Sequence, residues 1–284
     1  MRLLAPTLTA PLFRGLSDEL VGLLGSLEAA DWDLPTLAAP WRVRDVAAHL
    51  LDGDLRKLSF HRDGHPPPPP ADPLTGEREL TAYINQLNAG WVEIARRLSP
   101  RLLTRLLAVS GPEVAAFVAS LDPHGKALFA VSWAGEEVSL NWMDTGREYT
   151  ERWHHQQQIR EATGRPGLVA PQWLRPVFEI SIRALPHSYR GVEAEVGRSV
   201  RFEIEGPSGG EWILAREPGG WRLGVASGAD GPASARVSLS EDTAWRVFFK
   251  ALSPAQAEAR VRIEGDVALG RAFVTTRAVM VTDD

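Results

Sequence analysis

The hydrophobic period of this chain changes once, and the change divides it. Up to about residue 185 the apolar residues recur at helical spacing; from residue 198 they alternate with polar ones. A 3.6-residue period puts one face of a helix against a core, and a period of two does the same for a strand. Helices gathered in one block and strands in the next give an α+β chain rather than an alternating one. At 284 residues the chain has room for two domains. The expected division is a helical bundle over residues 1–167 and an α+β domain over 168–284.

In the first block, Leu20, Leu23, Leu24 and Leu27 mark a helix within 8–29, and Val43, Val46, Leu50 and Leu51 mark one over 42–61. Leu80, Ile84, Leu87, Trp91, Ile94 and Leu98 mark a third over 77–98. Residues 100–119 read as a further helix broken around Gly111-Pro112, and 120–143 as a long crossover loop. The last helix runs from about Asp144 to Thr163, where Gly164-Arg165-Pro166-Gly167 stops it. Pro66–Pro70 reads as an extended polyproline connection.

In the second block a short helix from Pro171 precedes strands at 198–205, 211–216, 221–225, 234–239 and 259–264. Ser240 and Asp266 are placed to cap two helices, and the sheet is expected to be mostly antiparallel.

A net charge of −5 with no basic block argues against nucleic acid as a partner. No run approaches the ~18 apolar residues of a membrane span, and no signal peptide is evident, so a cytoplasmic location is expected. The absence of cysteine excludes disulfides and thiolate ligands, so any sulfur chemistry needs an external thiol. Oligomeric state is not specified by these features.

The chemistry-bearing stretch is Glu148–Arg160, which has no proline or glycine. On a helix, Glu151 and His155 share a face one turn apart, which suits either two metal ligands or an ordinary exposed ion contact. His49 lies near the apolar face of its own helix, as a packed core histidine or as a ligand. His61, His65 and His124 sit beside prolines in connections and read as solvated.

Trp41-Arg-Val43-Arg-Asp45-Val-Ala-Ala-His49-Leu50 resembles the tryptophan–x–valine–x–aspartate–(three residues)–histidine–leucine segment of the mycothiol-dependent maleylpyruvate isomerase family. That family belongs to the DinB-like metal-binding four-helix bundles. Glu151-Arg-Trp153-His154-His155 resembles its glutamate–x–tryptophan–x–histidine motif, and Ile159-Arg160 with Gly164-Arg165-Pro166 continues the likeness. The resemblance covers residues 10–167. It implies that His49, Glu151 and His155 bind a divalent metal, zinc in the first instance, with His154 a neighbour and Glu148 in reserve. It further implies a metal-dependent isomerase or thiol S-transferase. Its co-substrate would be mycothiol or another low-molecular-weight thiol, and its substrate a small electrophile. Many relatives carry an aspartate where Gln158 stands, so substrate or activity can differ here. The second block resembles a sterol-carrier-protein-like domain. The alternative is therefore a non-catalytic protein that binds metal and an apolar ligand.

Overall fold

The computed structural model describes residues 1–66, 69–70, 73–228 and 231–280. Pro67 and Pro68 of the expected polyproline run lie outside the described residues. Residues 8–129 and 140–168 form one compact unit; residues 1–7, 130–139 and 169–279 form another.

The helical unit contains α1 (Phe13–Gly25), α2 (Val43–Arg56), α3 (Glu77–Ala95), α4 (Pro100–Ser120) and α5 (Asn141–Ala162). α1, α4, α2 and α5 close into a ring in which each packs on two others, and α3 packs on α2. The interior is filled by Leu20, Leu23 and Leu24 of α1, Val46, Leu50 and Leu51 of α2, Leu103 and Leu107 of α4, and Ile159 of α5. Each such side chain contributes about 1.5–3 kcal/mol on leaving water. α2 and α5 run antiparallel: His49 lies opposite Glu151, and Lys57, two turns further along α2, lies opposite Asp144.

The expected break at Gly111-Pro112 is not there. α4 is continuous through Pro112. Leu103, Leu107, Val114 and Val118 form one buried stripe on both sides of the proline, and burying that stripe outweighs the lost backbone hydrogen bond and ring clash, together about 3 kcal/mol. Gly111 makes the close approach to α1 possible, since a Cβ there would overlap Ser17 Oγ. α4 is long and apolar enough to cross a membrane by length and composition, but its stripe is spent on α1 and α2.

α5 is a polar helix that is nonetheless mostly buried, so its polar groups need partners. Gln156 Nε2 donates to Leu16 O at 3.1 Å, Gln157 Oε1 accepts from Leu168 N–H at 2.9 Å, and Arg160 donates to Glu19 at 2.8 Å. These bonds admit a single register and hold the helix where its motif is needed.

The α+β unit contains α6 (Pro171–Ser181), α7 (Leu185–Ser188), α8 (Glu241–Phe248), α9 (Pro254–Glu258) and α10 (Val267–Arg271). Its strands are β1 (Arg2–Leu3), β2 (Ser199–Glu205), β3 (Gly210–Glu217), β4 (Gly220–Val225), β5 (Ala235–Ser240) and β6 (Arg262–Gly265). The sheet order is β1-β4-β3-β2-β5-β6. Every pairing is antiparallel except β2 with β5, because the chain leaves β4 and crosses back to the far side of β2. β1 and α9 carry no period of their own and were not expected; the fifth expected strand starts later, at Arg262. Ser240 Oγ accepts from Thr243 N–H and Asp266 Oδ1 from Leu269 N–H, the two expected caps. Tyr189, Phe202, Phe273 and Phe248 stack edge to face or tilted in sequence through the interior, with Trp221 on Tyr189.

Candidate metal centre

The start of α2 explains the spacing of the first motif. The buried Asp45 carboxylate accepts from Arg42 N–H at 3.0 Å and from Arg96 Nε at 3.2 Å, which caps the first turn. His49 follows one turn later, on the face turned to α5. On α5, Glu151 and His155 are one turn apart and face back toward it.

The three side chains converge. His49 Nε2 stands 3.0 Å and His155 Nε2 3.1 Å from one oxygen, Glu151 Oε1. Among the described residues these are the His and acidic groups whose ligand atoms all lie within 4.8 Å of one another. A tetrahedral ion with bonds of about 2.0–2.1 Å separates its ligand atoms by about 3.3 Å, so the cluster is close to the required spacing. The nitrogens turned to Glu151 are the Nε2 atoms of both histidines, while His49 Nδ1 is buried without a partner. Two imidazoles and one carboxylate suit a divalent ion of the zinc type and leave a further position open.

The electrostatics follow from burial. Burial pushes His49 below its ordinary value, so it is neutral and able to offer a lone pair. Burial opposes ionisation of Glu151, but the imidazoles of His155 and His49 outweigh it and hold the carboxyl well below the usual range. The Glu151 side chain remains 31% exposed, so the cluster is open to solvent. The Trp41 ring stands 5.0 Å from that of His49 and 6.3 Å from that of His155, forming an apolar wall beside them.

The other candidates go elsewhere. His154 Nδ1 faces Thr150 O at 3.1 Å, and burial, with His155 beside it, pushes it down to about 3. Glu148 turns to Arg147 at 2.7 Å and is not in the cluster. His61 packs its ring on Phe129 and lies 3.4 Å from Lys57 Nζ, while His65 and His124 are exposed. Gln158 Oε1 accepts from His155 Nδ1 at 2.8 Å.

Sequence reasoning missed a polar network beyond the cluster. Lys57, the first residue of a π-helical turn, donates to Asp144, which also accepts from Arg147; Arg152 pairs with Asp54, which accepts from Ser110. The available signal was Lys57 itself, one of three lysines in an arginine-rich chain and set inside a helix.

The mycothiol maleylpyruvate isomerase N-terminal domain matches residues 13–160, and the SCP-2 sterol transfer family matches residues 183–276. Two strains of Mycobacterium tuberculosis each carry an uncharacterized protein 28% identical over 207 residues, spanning 70% of this chain and 73% of that protein. Among solved structures, the mycothiol-dependent maleylpyruvate isomerase and a histidine-to-alanine mutant of it share the fold. Each has a TM-score of 0.53 and 14% identity, covering 91% of this chain and 92% of theirs. The chain belongs to the mycothiol maleylpyruvate isomerase family.

Proposed function

We propose that His49, Glu151 and His155 hold a divalent metal, zinc in the first instance, and that the protein is a thiol-using isomerase or thiol S-transferase of the cytoplasm. The single observation that carries this reading is the placing of three donor atoms from two helices around one point, two imidazole nitrogens at 3.0 and 3.1 Å from Glu151 Oε1. The co-substrate is mycothiol or another low-molecular-weight thiol, and the substrate a small electrophile such as maleylpyruvate. When bound, the metal supplies the positive charge that favours the thiolate form of the thiol. The chain's own part is positional. Trp41 walls one side of the open position, Glu151 gives the cluster its negative charge, and the buried bonds of α5 fix both α5 donors. The lack of cysteine is consistent with a nucleophile brought in from outside.

The test is metal analysis of the purified wild type and His155→Ala, then an assay of zinc-loaded protein with mycothiol and maleylpyruvate. Metal in the wild type only, and turnover that depends on thiol, are expected. Equally little metal in both proteins sinks the reading.

The SCP-2 match favours a second reading, a carrier of an apolar ligand. Against it, the aromatic series from Tyr189 to Phe248 packs ring on ring through the interior of that unit. Tight fatty-acyl binding without turnover by any thiol would support the carrier.

A further inference from the structure

We infer that Gln158 leaves the centre with one unit of uncompensated positive charge and so tunes its open position to a small monoanion; the inference rests on the metal reading above. Gln158 and His155 are both buried, three residues apart on α5, with Gln158 Oε1 2.8 Å from His155 Nδ1. An amide oxygen only accepts, so with a cation at the cluster the proton of His155 would sit on Nδ1 and its lone pair on Nε2, the nitrogen on the Glu151 side. Gln158 thus sets the tautomer and the ring orientation of a ligand, the usual task of a group behind a metal-bound histidine.

The charge of the groups standing behind the ligands decides the net charge of the centre. Gln158 is neutral. The other imidazole has no carboxylate hydrogen-bonded to it from behind either, since His49 Nδ1 is without a partner. The neighbouring acids are neutralised by their own cations. Asp52 is held by Arg56, Asp54 by Arg152, Asp144 by Lys57 and Arg147, and Glu148 by Arg147. Among the described residues, Glu151 is therefore the anion that a cation at the cluster would meet directly without a basic side chain already paired to it. A divalent ion held by Glu151 and two neutral imidazoles carries a local charge of about +1; a carboxylate in place of Gln158 would bring it to about zero. The two imidazoles are mostly buried although Glu151 meets solvent, so such a charge is screened less than in water and discriminates between charged and neutral ligands. A thiolate, or any small monoanion, is the ligand class this arrangement favours.

The experiment uses cobalt-loaded full-length protein and azide as the probe anion, read by the visible absorption of cobalt, with wild type, Gln158→Glu and Gln158→Leu. Gln158→Glu keeps the shape and an acceptor but adds a charge, and its azide affinity is expected to fall about tenfold or more. Gln158→Leu stays neutral and removes the acceptor. Its azide affinity should stay near wild type, while its cobalt affinity, read by chelator competition, falls about 10–100-fold. Equal azide affinity in wild type and a cobalt-loaded Gln158→Glu overturns the inference and leaves the metal reading standing. So does a cobalt-loaded Gln158→Leu whose azide affinity falls about tenfold although no charge was added, which keeps the test decisive if Gln158→Glu does not fold. A wild type that takes up no cobalt removes the metal reading and this inference together.

Discussion

Lys57 Nζ donates to Asp144 Oδ2 at 2.7 Å, with the two side chains only 1% and 3% exposed. This pair clamps α2 to α5 two turns from the His49–Glu151 contact. Burial opposes ionisation of Asp144, but Arg147 and Lys57 together hold its carboxyl far below the usual range. Removing one partner of a buried pair costs about 3–5 kcal/mol, because the other charge is stranded. Lys57→Met should therefore lose about 3 kcal/mol in urea denaturation, the low end, since Arg147 stays on Asp144. Lys57→Met with Asp144→Leu should recover part of that loss. A double variant less stable than the single one would place the stabilisation elsewhere.

Metal binding to the folded state alone adds stability through mass action, about 2.7 kcal/mol at a hundredfold excess over Kd. A chelator is thus expected to lower the thermal midpoint of the wild type and leave those of His155→Ala and Glu151→Gln unmoved. A chelator shift that persists in His155→Ala would assign the metal to other ligands.

His61 ties acid stability to the π-helical turn. Burial, with the Lys57 ammonium beside it, lowers it from 6.5 to about 4. Between those two values the unfolded chain binds the proton and the folded one does not, so stability falls as pH drops from 6.5 toward 4. His61→Gln removes that contribution. Its denaturation midpoint should fall less than that of the wild type between neutral pH and about pH 5. An identical fall in both proteins would mean that His61 is free to protonate in the fold.

Pro112 sits inside an unbroken helix and has no N–H for the carbonyl one turn back. Pro112→Ala restores that bond, offset by a more flexible unfolded chain, for a net gain of about 2 kcal/mol. Urea denaturation would show the gain, and no change would mean that the proline ring contributes packing the alanine lacks.

Much of this architecture could be read before the coordinates, and what escaped has a common cause. Leu20, Leu23 and Leu24 or Val200, Phe202 and Ile204 declare their element because the period lives within a few neighbouring residues. So does the pairing of Glu151 with His155 on one face. Gly111-Pro112 misleads because a local breaker signal is weaker than a buried stripe that continues on both sides of it. The parallel β2–β5 pair, the wall formed by Trp41 and the clamp between Lys57 and Asp144 are contacts between distant segments, and no short window contains them. Gln158 stands three residues after His155 in the sequence, but its hydrogen bond to that ring needed a rotamer.

Arg2 and Leu3 pair with Val225 and Gly224 on β4. At ~5–20 residues per second, the ribosome places β4 roughly 10–45 s behind the strand that must join it. The helical unit, closed by residue 168, can finish within that interval. Arg2 and Leu3 are then among the last residues to find their place, and a nascent chain stalled before residue 220 would hold a finished bundle with β1 still unpaired.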